Sequence, residues 1–309
     1  MQLDGIIPPI TTPFDRNGEV HYTALRQNLA KYRTAGLRGF VIAGSTGEAA
    51  MLGTQEKEKL FQAARDSAED GLLIAGVGSE SVNETLALIR HASELQYAAA
   101  LVLTPHYYRA QMLRPESQLS FFRAVADSSP LPILIYNYPQ ITGIDLPLDV
   151  ICELSEHPNI IGIKESSADL ERIEKLTSTL PPTFDVLVGA SGKYHESLRL
   201  GVKGGILAVA NTFPRLALLV HERYRSGDVS GSDILQKKIA EAANIAPRFG
   251  IQGLKYAMDL NGYFGGECRL PLLPPDEQTK SEIERICCRV SDNVAAPSSK
   301  ASVRERLGT

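Results

Sequence analysis

The 309-residue sequence reads as an α/β protein, a (β/α)8 TIM barrel with a C-terminal helical appendage. Two observations carry that reading. Short apolar runs recur eight times, and the segments between them space their apolar residues as helices do. The eight units are complete by about residue 226, which suits a closed barrel of roughly 250 residues. Alternating units also allow a doubly wound open sheet. That fold calls for a Gly-rich phosphate turn after an early strand. Gly44-Ser-Thr-Gly47 follows the second run but lacks the G-x-G-x-x-G spacing.

In order, the runs are Gly5–Ile10, Gly39–Ala43, Leu72–Gly76, Ala99–Leu103, Ile133–Tyr136, Ile160–Lys164, Asp185–Val188 and Gly205–Ala208. Unbroken apolar character, without alternation, is what a parallel strand buried on both faces requires. Helices are predicted over Tyr22–Tyr32, Glu56–Ala68 and Val82–Leu95, where leucines, isoleucines and alanines return every three or four residues. Ser81 with Glu84 fits a capping box at the start of the third. Past the eighth unit the pattern is helical throughout: Ser232–Ala246, Gly250–Asn261 and Pro275–Val290. The expected division is a barrel over 1–226, helices packed on it over 227–290, and a flexible tail over 291–309, whose Ser, Ala and charge offer little surface to bury.

Composition narrows the function classes. The chain is 43% hydrophobic and 22% charged, with a net charge of −4 and no Lys/Arg-dense face, so a nucleic-acid partner is not expected. No apolar run approaches the ~20 residues that span a bilayer, so no membrane partner is expected either. Met1–Pro9 lacks the pattern of a signal peptide, and a cytoplasmic protein is expected. Cys152, Cys268, Cys287 and Cys288 show no C-x-x-C pair, and the adjacent last two fall in a helix, which suits reduced thiols. The six histidines have no paired-ligand spacing, so no metal site is expected, and each reads as a surface or loop residue.

Active sites of such barrels lie at the C-terminal ends of the strands. That rule converts the runs into candidates. The second run ends in Gly44-Ser45-Thr46-Gly47-Glu48, where exposed backbone N–H groups and two hydroxyls could seat a carboxylate or phosphate; an ordinary glycine turn with a helix cap fits equally. The fourth ends in Thr104-Pro-His-Tyr-Tyr-Arg109, and its tyrosines fit an interface or a core edge. The fifth puts Tyr136 at its mouth, where a phenol can relay a proton. The sixth ends at Lys164. A strand-end lysine ordinarily reaches to water. Buried among apolar neighbours, it loses its proton and attacks a ketone. The iminium formed then draws electrons, so that a neighbouring C–C bond can break. This chemistry needs no cofactor beyond the lysine itself. A carboxylate seat beside it would select a 2-oxo acid.

Gly44-Ser-Thr-Gly-Glu48, Tyr136-Asn-Tyr-Pro139 and Gly162-Ile-Lys-Glu-Ser166 resemble the signatures of the dihydrodipicolinate synthase / N-acetylneuraminate lyase family, and the likeness runs from about Gly5 to Leu273. The resemblance implies a pyruvate-type class I aldolase or lyase without a bound cofactor, usually a homotetramer built as a dimer of dimers. Lys164 would be the Schiff-base lysine and Tyr136 the proton relay. Ser45, Thr46 and Gly47 would bind the carboxylate, Thr46 lending its hydroxyl to the relay, with Ile206 completing the substrate site. Tyr107 would cross to the neighbouring subunit's relay. His106 replaces what is often another tyrosine, and Glu48 and Asn211 would shape the site.

The synthases of the family carry an arginine two residues after the proline of the tyrosine motif. Here that residue is Ile141, and no apolar side chain substitutes for a bidentate guanidinium. The stretches Tyr107-Tyr-Arg109, Leu154-Ser-Glu-His-Pro-Asn159, Arg248-Phe-Gly-Ile-Gln-Gly-Leu-Lys255 and Gly262–Pro271 are most similar to 4-hydroxy-2-oxoglutarate aldolases, which release pyruvate and glyoxylate, although Thr46 stands where those can carry asparagine. The alternatives are 4-hydroxy-tetrahydrodipicolinate synthase, another sugar-acid aldolase or dehydratase of the family, and a non-catalytic 2-oxo acid sensor.

Overall fold

A computed structural model of the chain describes residues 3–68 and 71–292. Eight strands form one parallel sheet: β1 (Gly5–Ile6), β2 (Gly39–Ile42), β3 (Leu72–Gly76), β4 (Ala99–Leu103), β5 (Ile133–Asn137), β6 (Ile160–Glu165), β7 (Asp185–Val188) and β8 (Gly204–Gly205). β2 to β8 pair with their neighbours in chain order, and β1 pairs with β8. The remaining seam between β1 and β2 is stitched just past β1, where Ile10 donates to Val41 at 2.9 Å and Val41 donates to Pro8 at 3.0 Å. The sheet is therefore a (β/α)8 barrel, as the eight-fold recurrence required.

The helices are α1 (Tyr22–Thr34), α2 (Thr54–Ala68), α3 (Val82–Glu94), α4 (Arg109–Met112), α5 (Pro115–Ser128), α6 (Pro139–Thr142), α7 (Leu148–Ser155), α8 (Leu170–Thr179), α9 (Tyr194–Arg199), α10 (Pro214–Arg225), α11 (Val229–Ala243), α12 (Ile245–Leu260) and α13 (Glu277–Asp292). None in the described residues is long and apolar enough to cross a membrane. Boundaries differ from the sequence reading by a few residues, most at β1 and β8, which are shorter than their apolar runs. The Ser81 cap on α3 forms, accepting from Glu84 N–H at 3.1 Å. The Glu84 carboxylate turns instead to the hydroxyls of Ser79 and Thr54, so only half of the box exists. α12 starts five residues before the predicted Gly250, because Gly250 is a left-handed kink (φ 73°) between two helical halves. The predicted tail falls, beyond Asp292, outside the described residues.

Two apolar layers hold the barrel. Inside it, Leu3, Ile7, Val41, Ile74, Leu101, Leu134, Leu187 and Ile206 meet. Outside, residues such as Phe40, Leu73, Val102, Ile135 and Ile163 pack under the helices. Burying each large side chain of this kind contributes roughly 1.5–3 kcal/mol. The phase of β6 matters most for function. Ile133 pairs with Ile160 but Leu134 pairs with Gly162, so Ile161 is an extra residue that shifts the register. Ile160 and Ile163 both pack outward. Strict alternation from Ile160 would turn Lys164 outward as well; the irregularity turns it into the barrel. Gly162 lets β6 approach β7 closely, since a Cβ there would stand 2.3 Å from the Asp185 carbonyl oxygen.

The cysteines are free thiols, with Cys287 buried and Cys288 exposed on α13. The histidines correct one expectation. His195 is buried on α9, its Nδ1 2.9 Å from the Ser232 hydroxyl, and His221 on α10 lies 2.7 Å from the Tyr194 hydroxyl. These two join helices, His195 from a buried position and His221 from a partly buried one.

Candidate active site

A cavity of about 350 Å³ opens at the C-terminal end of the barrel, a size suited to a small organic acid. Lys164 lines it from β6, and Tyr136 lines it from the paired position on β5. The Lys164 Nζ stands 3.9 Å from the centre of the Tyr136 ring. Both side chains are about 4% exposed. Among the described residues, Lys164 is the sole charged one lining the cavity. Burial without a facing carboxylate lowers its pKa from 10.5 to about 7. A substantial fraction of the amine is therefore unprotonated near neutral pH. Burial also raises the Tyr136 pKa, and the neighbouring hydroxyls of Ser45 and Ser166 partly oppose that rise. Tyr136 is accordingly a neutral phenol, able to accept a proton only while handing its own to a neighbouring hydroxyl.

Ser45 and Thr46 line the cavity from the turn after β2, and Ile206 lines it after β8. Gly47 does not line it. Its place is structural: a Cβ there would meet the Ile10 carbonyl oxygen at 2.8 Å, and its own carbonyl accepts the Thr12 hydroxyl at 2.6 Å. The turn is bracketed by two non-glycine residues in the left-handed region, Ala43 (φ 55°) and Glu48 (φ 57°), and a third, Ala168 (φ 64°), lines the cavity. Such residues persist where surrounding contacts hold them, and they gather at functional sites.

Tyr107 stands apart. It is 77% exposed, stacks edge-on against Tyr108 at 5.3 Å, and does not line the cavity of its own chain. Glu80 holds its loop, accepting from the backbone N–H of His106 and of Tyr107, both at 3.0 Å, while His106 Nδ1 lies 3.1 Å from the same carboxylate. Ile141 lines the cavity mouth and is half exposed. Asn211 donates to the carbonyls of Pro9 (2.9 Å) and Ala208 (3.0 Å), joining two lining residues across the β8–β1 seam.

The structure adds residues that motif reading left without a role. Ser166, inside the quoted lysine motif, faces Tyr136. Gly189 follows β7, and a Cβ there would stand 1.9 Å from the Ser166 Oγ and 3.2 Å from the Lys164 Cε. Only glycine leaves room beside the amine. Its signal was the turn Gly189-Ala-Ser-Gly192, which parallels Gly44-Ser-Thr-Gly47. Ala243, Ala246, Pro247 and Ile251 bring α11 and α12 over the cavity, so the C-terminal helices form a wall of the site. Behind Lys164, the next residue points the opposite way: fully buried Glu165 accepts from Arg172 at 2.7 Å, Asn137 at 2.9 Å and Ser167 N–H at 2.8 Å. That network anchors the strand end from which the lysine projects. No group of three or more His, Cys, Asp or Glu side chains in the described residues is arranged to hold a metal ion.

A buried amine with no carboxylate on its cavity wall, beside a phenol and a hydroxyl-bearing turn at the mouth of a (β/α)8 barrel, belongs to the lysine-dependent aldolases and synthases in type. The sequence pattern of the Dihydrodipicolinate synthetase family matches residues 2–289, and the chain belongs to that family of lyases. Among curated relatives it is 32% identical over 296 residues to the 4-hydroxy-tetrahydrodipicolinate synthase of Methanothrix thermoacetophila, covering 93% of this chain and 97% of that one. It is 31% identical over 288 residues to the probable mitochondrial 4-hydroxy-2-oxoglutarate aldolase of Emericella nidulans, covering 91% and 93%. Its fold superposes with a TM-score of 0.89 and 26% identity, over 94% of this chain and 99% of the other, on an E. coli K12 prophage protein of the dihydrodipicolinic acid synthase family solved in complex with pyruvate.

Proposed function

We propose that the chain is a Schiff-base lyase of 2-oxo acids, and that 4-hydroxy-2-oxoglutarate, cleaved to pyruvate and glyoxylate, is the substrate it fits best. The observation that carries the mechanism is Lys164, among the described residues the sole charged group lining the cavity, brought to about 7 by burial and facing Tyr136 at 3.9 Å.

The steps follow from the groups present. The neutral amine attacks the C2 ketone and water leaves, giving an iminium. Ser45 and Thr46 receive the C1 carboxylate, which places C2 against the amine. Tyr136 takes the proton of the C4 hydroxyl while passing its own toward Ser45 or Thr46. The C3–C4 bond breaks, its electrons move into the iminium, and glyoxylate departs. The enamine left behind is protonated at C3, and water releases pyruvate from Lys164. In a homotetramer arranged as a dimer of dimers, the exposed Tyr107 of a neighbouring subunit would extend the relay to solvent.

The cavity mouth bears on the choice of substrate. Ile141 offers no cation to a second carboxylate, and the distal lining contains only neutral donors such as Gln140 and Ser191. Neutral donors hold a carboxylate less tightly than a guanidinium does, which suits a reaction in which the small aldehyde acid must leave. The synthase reaction instead has to capture an aldehyde and hold it for condensation.

Pyruvate with borohydride should add irreversibly to Lys164 and to no other lysine, as read by peptide mass spectrometry. Absence of that adduct would sink the mechanism. A panel of 4-hydroxylated 2-oxo acids assayed for pyruvate release should give the highest kcat/KM with 4-hydroxy-2-oxoglutarate. Faster condensation of pyruvate with aspartate semialdehyde would transfer the assignment to the synthase.

A further inference from the structure

A second lysine is buried in this molecule, and the chemistry above does not use it. Lys255, on α12, is 1% exposed. Its Nζ lies 2.5 Å from Glu48 Oε1, donates to the Glu267 carbonyl at 2.6 Å and stands 4.6 Å from the centre of the Phe14 ring. Glu48 is 4% exposed and is the left-handed residue that ends the Ser45–Gly47 turn. Its other carboxylate oxygen accepts the Arg269 N–H at 3.0 Å. The Arg269 guanidinium then reaches the Met51 carbonyl at 2.8 Å and the Glu56 carboxylate on α2 at 2.7 Å, both C-terminal to that turn. The chain from Glu48 to Glu56 is thus held by Lys255 and Arg269. Lys255 shares its helix with Ile251, which lines the cavity.

We propose that the Glu48–Lys255 ion pair is a positioning device for the carboxylate seat. It holds the left-handed turn closed and so aims the Ser45 and Thr46 hydroxyls at the substrate carboxylate and at Tyr136. It also ties that seat to α12, so that the seat and the wall of the cavity are set as one unit. The proposal rests on the Schiff-base reading of the site. Its distinguishing feature is where the pair acts: on the turn that receives the carboxylate, not on Lys164, which contacts neither member.

The test is the charge-neutral double variant Glu48→Gln/Lys255→Met, compared with the parent chain by pyruvate-dependent borohydride trapping at Lys164. Removing both charges avoids leaving one buried and alone. The expected result is a cooperatively melting protein still trapped at Lys164, but with half-saturation by pyruvate shifted upward about tenfold or more. The rate at saturating pyruvate should change much less. A merely structural pair would leave that split unmoved, so an unchanged half-saturation overturns the proposal. If the double variant does not fold, Glu48→Asp asks the same question, because it keeps the charge but withdraws the carboxylate by one methylene; parent-like half-saturation there also overturns it. Failure of trapping in the parent would defeat the Schiff-base reading itself, a result separate from either of these.

Discussion

Lys164 and Lys255 are two buried lysines on the same chain, placed in opposite electrostatic settings. Lys164 lies near the end of β6 with a phenol ring beside its amine and, among the described residues, no carboxylate lining its cavity. Lys255 lies on α12 with a carboxylate 2.5 Å away and a carbonyl at 2.6 Å. The comparison teaches that burial alone does not make a reactive amine. Burial without a counter-charge disfavours the ammonium and produces a nucleophile. Burial against a carboxylate makes the side chain a strut between two segments.

The largest expected effect comes from removing the amine proposed to react. Lys164→Ala should lower pyruvate release by at least about a thousandfold while the barrel still melts cooperatively, because no other group on the cavity wall can form the iminium. Persistent turnover would break the comparison at its first member.

Stability should move in opposite directions at the two sites. Lys255→Met strands the Glu48 carboxylate and should cost about 3–5 kcal/mol in denaturant unfolding. Lys164→Met removes a charge that the fold tolerates poorly. The amine has a lower pKa folded than unfolded, so the unfolded chain binds the extra proton between about pH 7 and 10.5. The parent therefore gains stability as pH rises through that window. Lys164→Met should be more stable than the parent by up to about 5 kcal/mol below pH 7, with the advantage fading toward pH 10. Equal signs for the two variants would mean that the sites do not differ as described.

The smallest effect is a pH dependence. The initial rate of pyruvate adduct formation at Lys164 should rise about tenfold per pH unit on the acid side and level off above about 7, as the neutral amine becomes the main form. A rise centred near 10 would place Lys164 in water.

Much of this could be read from the chain. Strand–helix recurrence predicted the barrel because a parallel strand must be apolar on both faces and its return helix on one, and both patterns are local. Lys164, Tyr136, Ser45 and Thr46 were legible because each ends an apolar run, and in a parallel barrel those ends converge on one face. Other features depended on contacts that no local pattern records. The register irregularity at Ile161 decided that Lys164 faces inward, and an apolar run buried on both sides carries no alternation to reveal it. Gly189 and Ser166 meet Lys164 only because β7 lies beside β6. The C-terminal helices look like an appendage in sequence, yet Ala246, Pro247 and Ile251 wall the cavity. Glu48 and Lys255, 207 residues apart in numbering, find each other only when α12 folds back across the barrel mouth. The sequence by itself determined the architecture and singled out Lys164 as the candidate amine, because both follow from periodicity and from where periodicity stops. The tertiary structure alone decided which lysine is left without a counter-charge, since a pKa is set by the neighbours that the fold supplies.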